Sequence, residues 1–258
     1  MSPTVILIRH AEAEHNFAIH DPGLTELGKE QCRELAKFLE NEVPLAKDID
    51  LIVTSPLTRT LQTTDIALGW LIKSKNVPVL LKPEWQETTD KPCDKGRPVA
   101  DVKDDWPQFD FSTVLSDKYY PSKEGPYVYT QDALMARIAK CLKFLQRRNE
   151  KVVCVVSHSG FMRRLSRRKY GNADFRVFEF NEDNEFVERD IGKAKNGTGG
   201  RGLSPSDPSR PKEHWAGIKK SLSITDLSSF TRGSTPTGTG HGSCHLEVPH
   251  MPERPSSR

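Results

Sequence analysis

Three apolar runs punctuate the first 160 residues, and each ends in a polar turn that carries basic side chains. Val5-Ile6-Leu7-Ile8 stops at Arg9-His10, Leu51-Ile52-Val53 leads through Ser55-Pro56 to Arg59, and Val152-Val153-Cys154-Val155-Val156 stops at Ser157-His158-Ser159-Gly160. Short β-branched runs without polar alternation predict strands buried on both faces, as in a parallel sheet. Between them the apolar positions take up helical spacing. Thr25 is the expected N-cap of a helix over 26–42, with Leu27, Leu35, Phe38 and Leu39 as its apolar stripe. A second helix is expected over 57–73. A third, over 131–147, sets Leu134, Ile138, Leu142 and Leu145 on one face. Val77–Leu81 adds a short strand, and Phe175–Phe180 alternates as an edge strand would. The alternation predicts an α/β fold, a three-layer α/β/α sandwich around a mostly parallel sheet.

Two segments break this rhythm. Residues 88–130 show no periodicity and carry many Pro, Asp and Lys. A connection that long inside a compact domain is usually functional, so it is expected to be a lid-like insertion over the site. Within it, 91–97 follows closely on the acidic segment and could cover the pocket. Beyond about Lys193 the chain is dominated by Gly, Ser, Thr and Pro, too little apolar surface to offset the entropy of ordering. The expected organisation is therefore a folded domain over 1–192 and a disordered tail over 193–258. Within the tail, 214–230 has enough Trp, Ile and Leu for a docking segment, but plain disorder is the favoured expectation. His241, Cys244, His245 and His250 match no regular zinc spacing.

Composition narrows the partners. Across 258 residues the formal net charge is only +3, so nucleic acid is not expected. Five cysteines (Cys32, Cys93, Cys141, Cys154, Cys244) form no paired spacing, which suggests reduced thiols, with Cys154 in the core. No apolar run approaches the roughly 18 residues needed to cross a bilayer. The first strand starts at about the fourth residue, leaving no room for a secretory leader. A cytoplasmic protein is expected, with the nucleus as a second compartment.

The chemistry lies at the strand ends. Open α/β sheets place their ligands beyond the carboxyl ends of the strands. Three such ends delivering Arg9, His10, Arg59 and His158 suit a dianionic phosphoryl group, which takes planar Arg donors and imidazole N–H groups. The residues here resemble the histidine phosphatase superfamily, also called phosphoglycerate mutase-like. Arg9-His10-Ala11-Glu12 with Asn16 is similar to its N-terminal signature, with alanine where many members have glycine. Leu24-Thr25-Glu26-Leu27-Gly28 with Gln31 resembles its first helix start. Ser55–Thr63 resembles its second arginine segment, Trp85-Gln86-Glu87 its acidic segment and Ser157-His158-Ser159-Gly160 its second histidine. The resemblance spans roughly the first three-quarters of the chain.

On that resemblance, His10 is the nucleophile that becomes a phosphohistidine, splitting one displacement into two. Arg9 and Arg59 clamp the phosphoryl oxygens. The Ser55-Pro56 turn starts a helix whose free N–H groups also favour an anion. His158 is a third phosphate donor, expected to be protonated and to need negative charge nearby. Asn16 and Ser159 complete the substrate-binding set. Glu87 is the expected general acid, with neighbouring Glu84 as the alternative. Glu12, Glu14 and His15 read as loop or rim residues. No metal and no cofactor are expected, since two Arg and two His supply the positive charge. The expected activity is phosphomonoester hydrolysis; the alternatives are phosphoglycerate mutase-type transfer and a non-catalytic phospho-ligand scaffold. Trp85-Gln86-Glu87-Thr88 does not look like the mutase segment, and a pure binder needs no general acid. The expected substrate is a small phosphorylated molecule, with a phosphoprotein as the alternative.

Overall fold

The computed structural model describes residues 2–14 and 19–189. His15, Asn16 and every expectation placed on the tail lie outside the described residues. The described residues belong to one compact unit. In chain order the elements are β1 (Thr4–Arg9), α1 (Glu26–Glu42), β2 (Ile49–Thr54), α2 (Thr58–Lys75), β3 (Val79–Leu81), α3 (Val99–Val102), α4 (Ser112–Leu115), α5 (Gln131–Gln146), β4 (Val152–Ser157), α6 (Ser159–Ser166), β5 (Phe175–Phe180) and β6 (Phe186–Glu188).

The sheet runs in the order β3-β2-β4-β1-β5-β6. Its first four strands are mutually parallel; β5 is antiparallel to β1, and β6 to β5. Both faces are covered, which is why the strands read as unbroken apolar runs. Ile6, Ile8, Ile52 and Cys154 pack on one face with Cys32, Leu35 and Leu39 of α1 and Ala67, Leu68 and Leu71 of α2. Val5, Leu7, Val53 and Val155 pack on the other with Leu134, Ile138 and Leu142 of α5 and Phe161, Met162 and Leu165 of α6. The structure is thus the three-layer sandwich expected. The insertion makes a small core of its own, in which Val99, Val102, Phe109, Phe111 and Val114 close over Leu61 and Leu81.

Two expectations need correction. Leu27 is 56 % exposed, and the buried stripe of α1 is Gly28, Cys32, Leu35 and Leu39. A glycine is buried there because the loop after β1 crosses it: a Cβ on Gly28 would stand 1.9 Å from the Glu12 carbonyl oxygen. Phe175–Phe180 is not the edge strand either. It lies inside the sheet with its first four residues buried, and the short strand β6 forms the edge.

Adjacent strands β1 and β4 send their chains to opposite faces, β1 towards α1 and β4 into α6. The crevice between their carboxyl ends is where such a sheet leaves room for a ligand.

Candidate active site

His10 and His158 follow β1 and β4 directly, and their rings stand 5.2 Å apart. Main-chain bonds hold the strand ends in register: the His10 amide donates to the Ser157 carbonyl at 3.0 Å and the Ser55 amide to the Val156 carbonyl at 3.1 Å. His10 Nδ1 lies 2.7 Å from the Ala11 carbonyl oxygen. A carbonyl only accepts, so Nδ1 carries the proton, and in a neutral ring the lone pair is on Nε2. The loop behind it is fixed by α2 and α1. The Ala11 amide donates to Thr63 Oγ1 at 3.2 Å, and the Glu12 amide to Gln31 Oε1 at 2.9 Å. The Thr25 hydroxyl donates to the Glu12 carboxylate at 2.9 Å, which makes Glu12 a structural loop residue.

One pocket of about 220 Å³ is lined by Arg9, His10, Arg59, Glu87 and Ser159 together with Thr89, Lys91, Cys93 and Asp94. Five of the residues read from the sequence thus converge, and His158 lies fully buried against His10. Of the 91–97 stretch, Lys91, Cys93 and Asp94 line the pocket. Arg9 is anchored by Nη1 to the Tyr170 carbonyl at 2.9 Å. Arg59 is held from the insertion: Nη1 donates to the Cys93 carbonyl at 2.6 Å and Nη2 to Asp94 Oδ1 at 3.1 Å. The first amide of α2 is not open to an anion, because Thr58 donates its N–H to Asp21 Oδ1 at 2.9 Å.

His158 departs from the protonated donor expected. Burial, reinforced by the positive charges of Arg59, His10, Lys123 and Arg137, holds it well below the usual imidazole range. Its Nε2 is 2.8 Å from Ser55 Oγ, and among the described residues its buried Nδ1 has no hydrogen-bond partner.

The Glu87 carboxylate meets the start of α6. Its Oε2 accepts from the Gly160 amide at 3.0 Å, and its Oε1 from the Phe161 amide at 3.0 Å and the Thr88 amide at 2.8 Å. Since His158 is the N-cap of that helix, one turn of backbone sets both groups. Gly160 is required by this approach: a Cβ there would lie 2.4 Å from Glu87 Oε1. Glu84 cannot take over the role, because it is engaged by Lys140 at 2.8 Å and Lys82 at 3.6 Å and does not line the pocket.

The sequence reading missed Asp94, Lys123 and Arg137. Lys123 Nζ donates to Gln86 Oε1 at 2.6 Å and to the Glu87 carbonyl at 2.8 Å. Arg137 stacks on Phe161 at 4.6 Å and reaches the same carbonyl at 3.5 Å. Arg137 did leave a signal, standing on the apolar face of α5 among Leu134, Ile138 and Cys141. Among the described residues no group of three His, Cys, Asp or Glu side chains could hold a metal ion, and no helix is long and apolar enough to cross a membrane.

The paired histidines, flanking arginines and carboxylate form a pocket whose side chains suit an anionic group. The family model of the histidine phosphatase superfamily (branch 1) matches residues 5–185, and the chain belongs to that superfamily. It is 31 % identical over 198 residues to phosphoglycerate mutase-like protein 1 of Arabidopsis thaliana, covering 62 % of this chain and 69 % of that protein. It is 30 % identical over 168 residues to phosphoserine phosphatase 1 of Hydrogenobacter thermophilus, covering 62 % and 73 %. The crystal structure of the alpha-ribazole phosphatase from Shigella flexneri shares the fold, with a TM-score of 0.50 at 18 % identity, covering 78 % of this chain and all of that one.

Proposed function

We propose that the protein hydrolyses a phosphomonoester through a phosphohistidine on His10. The supporting observation is the main-chain acceptor on His10 Nδ1, which keeps the nucleophilic lone pair on Nε2 of a ring that shares its pocket with Arg9 and Arg59 and stands 5.2 Å from the His158 ring. Nε2 attacks phosphorus, and the P–N bond forms as the bond to the leaving oxygen breaks. Arg9 and Arg59 hold the phosphoryl oxygens, and His158, whose affinity for a proton is lowered by burial and by the surrounding cations, takes one up when the dianion arrives. Glu87 gives a proton to the leaving alkoxide, then as carboxylate takes one from the water that cleaves the P–N bond. The residue set calls for no metal and no cofactor.

A pocket of about 220 Å³ suits a small substrate, and the relative named phosphoserine phosphatase favours hydrolysis of a small phosphorylated metabolite. The test is to incubate the chain with an aryl and an alkyl phosphomonoester, quench in acid or in base, and identify the products. Inorganic phosphate together with a base-stable, acid-labile phosphoenzyme is the expected result. Transfer to a second hydroxyl of the product would move the reading to a mutase, and absence of any phosphoenzyme or turnover would overturn it.

A further inference from the structure

Lys123 is a lysine where folding alone gives no reason for one. It is only 9 % exposed, and among the described residues no carboxylate lies within salt-bridge distance of it. Burying an ammonium without a counter-ion is costly, and such groups are kept mainly where function requires them. Burial, together with the charge of Arg137, lowers it to about 7, with Asp94 and Glu87 acting in the opposite sense and Arg59 adding to the lowering. Both hydrogen bonds of its ammonium go to one place, the Gln86 side chain and the Glu87 carbonyl. Lys123 lies on the insertion, 36 residues from Glu87 in sequence.

We propose that Lys123 is a positioning residue for the general acid: by gripping Gln86 and the Glu87 main chain it fixes where the Glu87 carboxyl meets the leaving group. Glu87 is then held at both ends, its carbonyl by Lys123 and Arg137 and its carboxylate by the Gly160 and Phe161 amides. Phe161 links the two ends, since Arg137 stacks on its ring while its amide bonds the carboxylate. The insertion thereby does more than cover the pocket, because its Asp94 sets Arg59 and its Lys123 sets the acid. This inference rests on Glu87 being the acid.

The test is Lys123→Met, with Lys123→Gln as a milder variant that keeps one donor without the charge. Lys123→Met should lower kcat on an alkyl phosphate about tenfold or more with KM little changed, and lower kcat on an activated aryl phosphate much less. A double-mutant cycle with Glu87→Gln should show that Lys123→Met adds little once the acid is gone. A readout independent of activity is the amide NMR signals of Gly160 and Phe161, which should shift in both Lys123 variants. Unmoved amides, or equal loss on the two substrates, would overturn the positioning role. Shifted amides in a chain whose wild type turns over neither substrate would leave the grip intact and remove only the hydrolase reading.

Discussion

The two ends of the pocket are built differently. At the phosphate end, His10, Arg59 and His158 sit within a few residues of three parallel strand ends, and the sheet brings them together, with Cys93 and Asp94 of the insertion holding only the Arg59 guanidinium. At the leaving-group end, Glu87 is placed by Lys123 and Arg137, which lie 36 and 50 residues away in sequence, and by the first turn of α6. The first end is fixed by topology, so substitutions there should remove chemistry and leave the architecture. The second depends on side-chain and main-chain bonds that join two loop segments, those of Glu87 and Lys123, to the helices α5 and α6, so its function should be adjustable in steps.

The largest effect that would break this contrast is at His10. His10→Ala should abolish both turnover and the trapped phosphoenzyme, since no other group in the pocket can attack phosphorus from that position; a fully active variant ends the assignment. Glu87→Gln should follow, with alkyl phosphates losing about 10²–10⁴-fold, the usual range for a general acid, and aryl phosphates less. Equal losses on both would take the acid role away from Glu87, and Glu84, tied to Lys140, could not inherit it. Gly160→Ala should give a smaller version of the same selective defect, because the new methyl displaces the Glu87 carboxylate. A crystal structure of that variant with Glu87 unmoved would remove the reason for the glycine.

Stability should separate the two ends by pH. His158 lies below its unfolded value, so unfolded chains bind an extra proton below about 6.5 and stability falls as pH drops through that range. Lys123 lies at about 7 against an unfolded value of 10.5, so the unfolded chain binds more protons between those limits, and stability rises with pH across them. Above about pH 9 the buried Cys32, Cys141 and Cys154 thiols, which hold their protons longer when folded, act in the opposite sense, so the lysine is read between about 7 and 9, where denaturant midpoints should rise more steeply in the wild type than in Lys123→Met. An unchanged upper slope in that variant would mean the lysine is solvated. The smallest expected effect is none at all: exhaustive chelation should leave turnover intact, and recovery of lost activity on adding magnesium would show that a cation takes part.

The same contrast explains what could be read from the sequence. Arg9, His10, Arg59 and His158 were legible because each follows an apolar run whose end a parallel sheet aligns with the others. Leu27 misled because the buried face of α1 is carried by Gly28 and Cys32, residues with little apolar signal, while a leucine beside them faces solvent. The three-residue strand β6 is too short to show a period, and without it Phe175–Phe180 looked like an edge. The lowered proton affinity of His158 comes from its complete burial and then from the surrounding cations, neither of which a local pattern carries. Lys123 and Asp94 sit in a segment without periodicity, so their long-range partners could not be inferred. Arg137 was visible as a charge on an apolar stripe, a signal that a buried acceptor waited opposite.

The bond from His10 Nδ1 to the Ala11 carbonyl has a consequence for how this activity can be lost and for what its intermediate must be. In enzymes that orient a histidine with a carboxylate, one substitution in the orienting residue scrambles the tautomer. Here the orienting oxygen belongs to the peptide backbone and is present whatever side chain occupies position 11. Random mutagenesis should therefore yield no variant that keeps His10 and loses its tautomer by deletion of a partner. The covalent adduct, in turn, should form on the ring nitrogen remote from the main chain, a single regioisomer that phosphorus NMR can tell from its counterpart.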